Sequence, residues 1–427
     1  MNVGACAAGS VGGIRVGGRS AAPLARVAAD LAYPVQGATC TASAPVRIQL
    51  GRRARRTAAV WARARDAVSR RTQRERLRLT CAGAPHAGTG KVVVVTTDFE
   101  TGLLATVGVA PPHTVVRLDV PIHADAVVRI AGERAYVVNR FLGDNLQVLD
   151  PRRGFATVLQ CSTGTGSNPH DVAVVDPHKA YVTRYDRPEL WIVDPEATSC
   201  AGFRRGTIDL APYGDADGLP EMDQMVRVAD RLFVSVERLD RTRGFAPSGP
   251  SALVIVDLAT DTVAGTIELV GKNAFGDASG IVREPGTGKL LLAAAGDTLR
   301  TGDGGIERVD PFALRSEGLV ITEEELGGSV TDFVLVSATR GYAVVLDDRL
   351  TNVLVAFDPA RRTVTRRLLS RDAYLPDIAL GPDGLLWLAD RGLPAPGVRL
   401  FDPTDDRQLT GRAIDVGLPP FAMAFLP

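Results

Sequence analysis

The chain has 427 residues, 45% apolar but only 5% aromatic, so any large core must be built mainly from Val, Leu, Ile and Ala. No stretch approaches the ~20 apolar residues that a membrane-spanning helix requires. The formal net charge is zero, but positions 1–90 hold 15 Arg against 3 acidic residues and the remainder 34 basic against 46 acidic; an acidic body argues against nucleic acid as its main partner, because phosphate binding needs a positive face, and is compatible with cations or basic partners.

Residues 1–90 are rich in Ala, Gly and Arg and lack periodic strands. Positions 52–78 (RRARRTAAVWARARDAVSRRTQRERLR) could turn helical, since Ala and Arg are good helix formers. They offer few large apolar residues to pack. We expect a disordered or weakly helical basic segment. It reads as a basic tail, as a start placed upstream of the true one, or as an arm for nucleic acid or a membrane surface. No apolar run of the length a secretory signal needs follows a short basic start. Cys81, followed by AGAPHAGTG, resembles the start of a mature bacterial lipoprotein, although RLRLT before it departs from the small-residue cleavage pattern.

From about residue 91 to the C-terminus a unit recurs: an apolar strand, a short polar loop, then a second apolar strand ending in Asp. It reads AYVVNRFLGDNLQVLD at 135–150, AYVTRYDRPELWIVD at 180–194 and GYAVVLDDRLTNVLVAFD at 341–358. Looser copies occupy 232–257, 289–310 and 385–402, with a degenerate first copy at 91–109. Seven copies, starting 44 to 57 residues apart, predict an all-β, seven-bladed β-propeller of four-stranded antiparallel blades. Outer strands are expected at 155–161, 206–211, 262–270, 363–369 and 412–416, and one helical turn at most within 316–328. The first copy lacks an inner strand and 421–426 (FAMAFL) has no copy after it, so the C-terminal strand should complete the first blade and close the ring. Cys161 and Cys200 fall in adjacent copies; they could pair in an exported protein, but two free buried thiols are the expectation.

The segments AYVVN (135–139), AYVTR (180–184) and LVIVDLATDTVAGTIELVG (253–271) resemble the YVTN-repeat (YncE-like) bacterial propellers. That resemblance implies a repeat protein that is often exported or on the cell surface, hence periplasmic, a surface lipoprotein or secreted, and seldom of defined activity. The WD40 and kelch signatures are absent.

The most specific chemical pattern is a set of acids at the starts of inner strands: Asp125, Asp171, Asp223, Asp332 and Asp377, with Asp277 slightly out of step. Inner strands line a propeller's channel, so these carboxylates should ring one mouth. One reading is a cation or polar-ligand site, with His123, His170 and Asn168 beside it and Ca2+ as the candidate ion. The other is structural, with Arg140, Arg184, Arg238 and Arg391 tying the acids of neighbouring blades. A second candidate metal loop is DADGLPEMD, with Asp215, Asp217 and Glu221; a third acidic loop holds Asp303 and Glu307. No GxSxG, HExxH or phosphate-loop motif occurs. The favoured function is a ligand- or protein-binding scaffold acting through the mouth, as a monomer. The alternative is a metal-assisted lactonase- or lyase-type enzyme at the same mouth, with His123 or His170 as base.

Overall fold

A computed structural model describes residues 90–276, 280–297 and 302–427 with their side chains. The basic segment before residue 90, its Arg run and Cys81 lie outside those residues, as does Asp277.

Seven four-stranded antiparallel sheets follow one another in chain order as the blades of a ring. In blade 2 the strands are Ala126–Ala131, Arg134–Asn139, Asn145–Asp150 and Ala156–Ser162, from the channel outwards. The second and third strands of each blade are covered on both faces by neighbouring blades, which is why they read as unbroken apolar runs; Asn352–Asp358 is buried at every position. Outer strands are covered on one face only. Thr262–Glu268 accordingly alternates between exposed and covered positions.

The Asp that closes the third strand in blades 2 to 7 has a local cause. Its carboxylate accepts backbone N–H groups two or three residues on, as Asp257 does from Ala259 and Thr260 (2.9 Å each) and Asp358 from Ala360 (2.9 Å). The side chain thus closes the turn into the outer strand. Two of these turns also tie blades together. Tyr181 donates to Asp261 and Tyr342 to Asp406 (2.7 Å), each acceptor in the next blade, with Lys179 and Arg340 bonded to the same carboxylates.

The ring closes as expected. Pro420–Leu426 pairs antiparallel with Lys91–Thr97, with Ala422 opposite Val95 and Ala424 opposite Val93. Three details differ from expectation. The last outer strand is Arg407–Gln408, not 412–416, because the Asp402–Asp406 turn returns the chain at once; Ile414 makes only a single bridge to Val398. The inner strand of blade 5, not located from sequence, is the short Val282–Arg283. Cys161 and Cys200 form a disulfide, with Cα atoms 5.4 Å apart, rather than two free thiols. The turn of blade 3 that carries Cys200 is long enough to reach the outer strand of blade 2, a contact that sequence spacing does not reveal. The turn expected within 316–328 is the helix Glu323–Leu326. No helix among the described residues is long and apolar enough to cross a membrane.

Candidate functional site at the channel mouth

Blade topology puts the starts of the inner strands and the loops between second and third strands at one end of the ring. This loop face carries the predicted acids, and the structure shows what most of them do. Asp171 accepts from Met225 N (2.8 Å), Asp332 from Ile378 N (2.7 Å), Asp377 from Met423 N (2.5 Å) and Asp223 from Gly276 N (3.0 Å). Each acceptor reaches the next blade near the start of its inner strand. These acids therefore bind blade to blade through backbone amides, which would otherwise be buried without partners. Asp171 also holds Arg129 of the preceding blade (2.7 Å), and burial pushes its carboxyl above the usual carboxylate range against that ion pair.

The arginines do not make the ties expected of them. Arg140 bonds Asp125 within its own blade (2.8 Å). Arg184 bonds Glu189 (2.7 Å) and lies over Trp191, Arg238 bonds Glu268 (2.7 Å), and Arg391 lies over Phe99. The physical reason is reach: from the end of the second strand Arg140 meets the inner-strand acid of its own blade, and Arg184, Arg238 and Arg391 meet other acids or rings, before any inner-strand acid of a neighbouring blade. His123 is also occupied locally, with Nδ1 accepting from Asp125 N (3.1 Å).

One corner of the mouth differs. His170 Nδ1 lies 2.9 Å from Asp223 Oδ1, and its ring stacks on Tyr185 with centroids 4.2 Å apart. Tyr185 OH donates to Glu237 Oε2 (2.9 Å). Glu237 is fully buried, and neither its Oε1 nor Asn168 Oδ1 has a hydrogen-bond partner among the described residues; Asn168 has left-handed backbone (φ 46°). Burial and the Asp223 carboxylate push Glu237 well above its usual range, and burial does the same to Tyr185. The corner thus offers a buried carboxyl, a buried phenol and an imidazole oriented by a carboxylate. With Nδ1–H given to Asp223, Nε2 is the nitrogen left to meet a ligand. Tyr185 and Glu237 were missed in the sequence; a Glu closing an otherwise apolar strand (LFVSVE) is the signal that could have found Glu237.

The proposed metal loop is engaged otherwise. Asp215 and Asp217 accept backbone amides of their own turn (3.1 and 2.8 Å), and Glu221 bonds Arg241 (2.9 Å). Glu307 accepts from Gly271 N (2.7 Å) and Asp303 from Asp297 N (3.0 Å). Among the described residues no three His, Cys, Asp or Glu side chains are grouped to hold a metal ion.

Glu221 sets a pH dependence. Burial pushes its carboxyl up to about 7 despite the amide of Leu239 and Arg241. A carboxyl raised in the folded state supports folding fully below its unfolded value and loses that support as pH rises through the folded one. Between pH 4 and pH 8 the wild type should therefore lose roughly 3 kcal/mol relative to Glu221→Gln, read by denaturant unfolding of both proteins. A difference between them that stays constant with pH would remove this assignment.

No family model matches the chain, and no curated protein does. Solved structures do. A Bacteroides fragilis protein provisionally assigned as a 6-phosphogluconolactonase is 13% identical, covering 81% of this chain and 99% of its own at a TM-score of 0.53. A protein of the same provisional assignment from Bacteroides uniformis is 14% identical, covering 80% and 100% at 0.56. A Lactobacillus plantarum protein is 14% identical, covering 79% and 99% at 0.57. At these identities the likeness shows the propeller fold alone.

Proposed function

We propose that this propeller is a binding module that takes a protein partner on its loop face. One observation carries the reading. Large apolar side chains stand exposed on the loops between second and third strands of five blades: Phe99, Phe141 with Leu142, Phe245, Leu350 and Leu393, each about half exposed or more. Four of them, Phe99, Leu142, Phe245 and Leu350, hold left-handed backbone (φ 58° to 70°), where Gly or Asn costs less. Single exposed apolar residues are ordinary, but a set arranged around one mouth marks an interaction surface. An exported or surface location fits the Cys161–Cys200 disulfide, because such bonds persist in oxidising compartments.

The test is a photo-crosslinking amino acid placed in cells at Leu142, at Leu393 and at Phe312, which lies in a turn at the opposite end. Adducts of one defined mass from Leu142 and Leu393, absent from Phe312, are expected. Adducts equal from all three positions, or from Phe312 alone, would overturn the reading.

A second reading is favoured by the His170–Asp223 pair: general-base catalysis at Nε2, as in lactone hydrolysis. There His170→Gln would abolish turnover of a lactone substrate, and hydrolysis undiminished in that variant would rule it out.

A further inference from the structure

A different site lies at the opposite end of the ring, between blades 2 and 3. It follows from comparing three equivalent tyrosines. Tyr136, Tyr181 and Tyr342 occupy the same position on their second strands, each two residues after a basic residue: Arg134, Lys179 and Arg340. Tyr181 and Tyr342 donate to Asp261 and Asp406 of the following blade. Each of those acids stands four residues after the Asp that begins its turn. In blade 3 that position is Thr198, four residues after Asp194, in a longer turn bonded to blade 2 through Cys200. Glu196 of this turn bonds Arg134 (3.2 Å), which also holds Asp150 (2.8 Å).

Tyr136 is left without an acceptor. It is 3% exposed and its hydroxyl makes no hydrogen bond to a described residue. It lines a cavity of about 540 Å³ whose floor includes Val174, Val175 and Pro177. Burial and Glu196 push its phenol up to about 12, so it enters the cavity as a donor. The charged groups around it are unequal. Glu133 is engaged by Arg152, and Asp150 and Glu196 by Arg134. Asp176 is exposed, accepts only the amide of His178 (2.8 Å) and forms no ion pair among the described residues.

We propose that this cavity binds a small ammonium-bearing molecule that also presents a hydroxyl or carbonyl oxygen, with Tyr136 donating to the oxygen and Asp176 holding the ammonium. Inorganic anions and carboxylates are disfavoured, because the lining has four acids against two arginines. An amino sugar or an amino-acid amide has the required pair of groups. The site is independent of the loop face and of any partner bound there.

The experiment titrates the full-length protein with glucosamine and with glycinamide, followed by NMR, with glucose as the uncharged control. At least one amine probe should bind in the millimolar range and glucose more weakly. Tyr136→Phe and Asp176→Asn should each weaken binding about five- to tenfold, the loss of one hydrogen bond or ion pair, while Phe99→Ala on the loop face leaves it unchanged. Because Tyr136 has no internal partner, Tyr136→Phe should melt with the wild type, whereas Tyr181→Phe and Tyr342→Phe melt lower. Failure of both amine probes to bind, equal binding by Tyr136→Phe, or a lowered melting temperature for that variant would overturn the proposal.

Discussion

Removing residues 421–427 should abolish cooperative folding of the propeller or lower its Tm by at least about 10 °C. The segment supplies the inner strand of the first blade and is paired to Val92–Val95, all four fully buried. Phe421, Ala422 and Met423 are themselves buried, and Met423 N is the donor that Asp377 holds at 2.5 Å. Two large apolar side chains lose about 2 kcal/mol each on exposure, and several ladder hydrogen bonds near 1 kcal/mol each go with them. The sum, about 5–10 kcal/mol, is comparable with the whole stability of an ordinary domain. The truncation also bares Lys91–Thr97 as a long apolar edge, an invitation to pair with another chain. Thermal unfolding of the truncated and full chains checks this, with Phe421→Ala as a milder variant expected to cost about 3–5 kcal/mol. A truncated protein that melts with the full chain would show that the ring does not close here.

How much of this could be seen in the residues alone follows from where each interaction is written. The blades were legible because second and third strands are buried on both faces, and the Asp closing the third strand in blades 2 to 7 performs a local task, bonding the turn that follows it. The closure was legible by counting: one inner strand lacking, one strand spare. The ring of acids was visible too, but its work was not. The acceptors are read from side chains, whereas the donors at Met225, Ile378 and Met423 are backbone amides, which carry no sequence signature. A different limit hid the Tyr185–Glu237 bond, whose two ends are both side chains but stand 52 residues apart across a blade boundary. The arginines misled for a related reason, since regular spacing fixes which end of a blade a side chain occupies but not which neighbour it meets first. The cavity at Tyr136 became visible only by contrast with Tyr181 and Tyr342, whose partners exist because their following turns are short.

That long turn in blade 3 leads to the second large effect. Reducing the Cys161–Cys200 bond, or replacing both residues by Ser, should cost about 3–4 kcal/mol of stability. The bond joins residues 39 apart, and closing a loop of that length removes conformational freedom mainly from the unfolded chain. It also joins the outer strand of blade 2 to blade 3, where the Tyr–Asp tie seen between blades 3 and 4 and between blades 6 and 7 is missing, so the covalent link stands in for that hydrogen bond. Two measurements check it. Peptide mapping of unreduced protein should show Cys200, which is exposed, protected from alkylation and joined to Cys161; ready alkylation at Cys200 would remove the bond. Denaturant unfolding with and without reductant should then differ by the stated amount. The double Ser variant should be unaffected by reductant, which separates this bond from Cys6, Cys40 and Cys81. If the bond compensates for the absent tie, restoring that tie by Thr198→Asp should recover part of the loss in the double Ser variant. The same substitution in the disulfide-bonded protein should add less, because there the two blades are already joined.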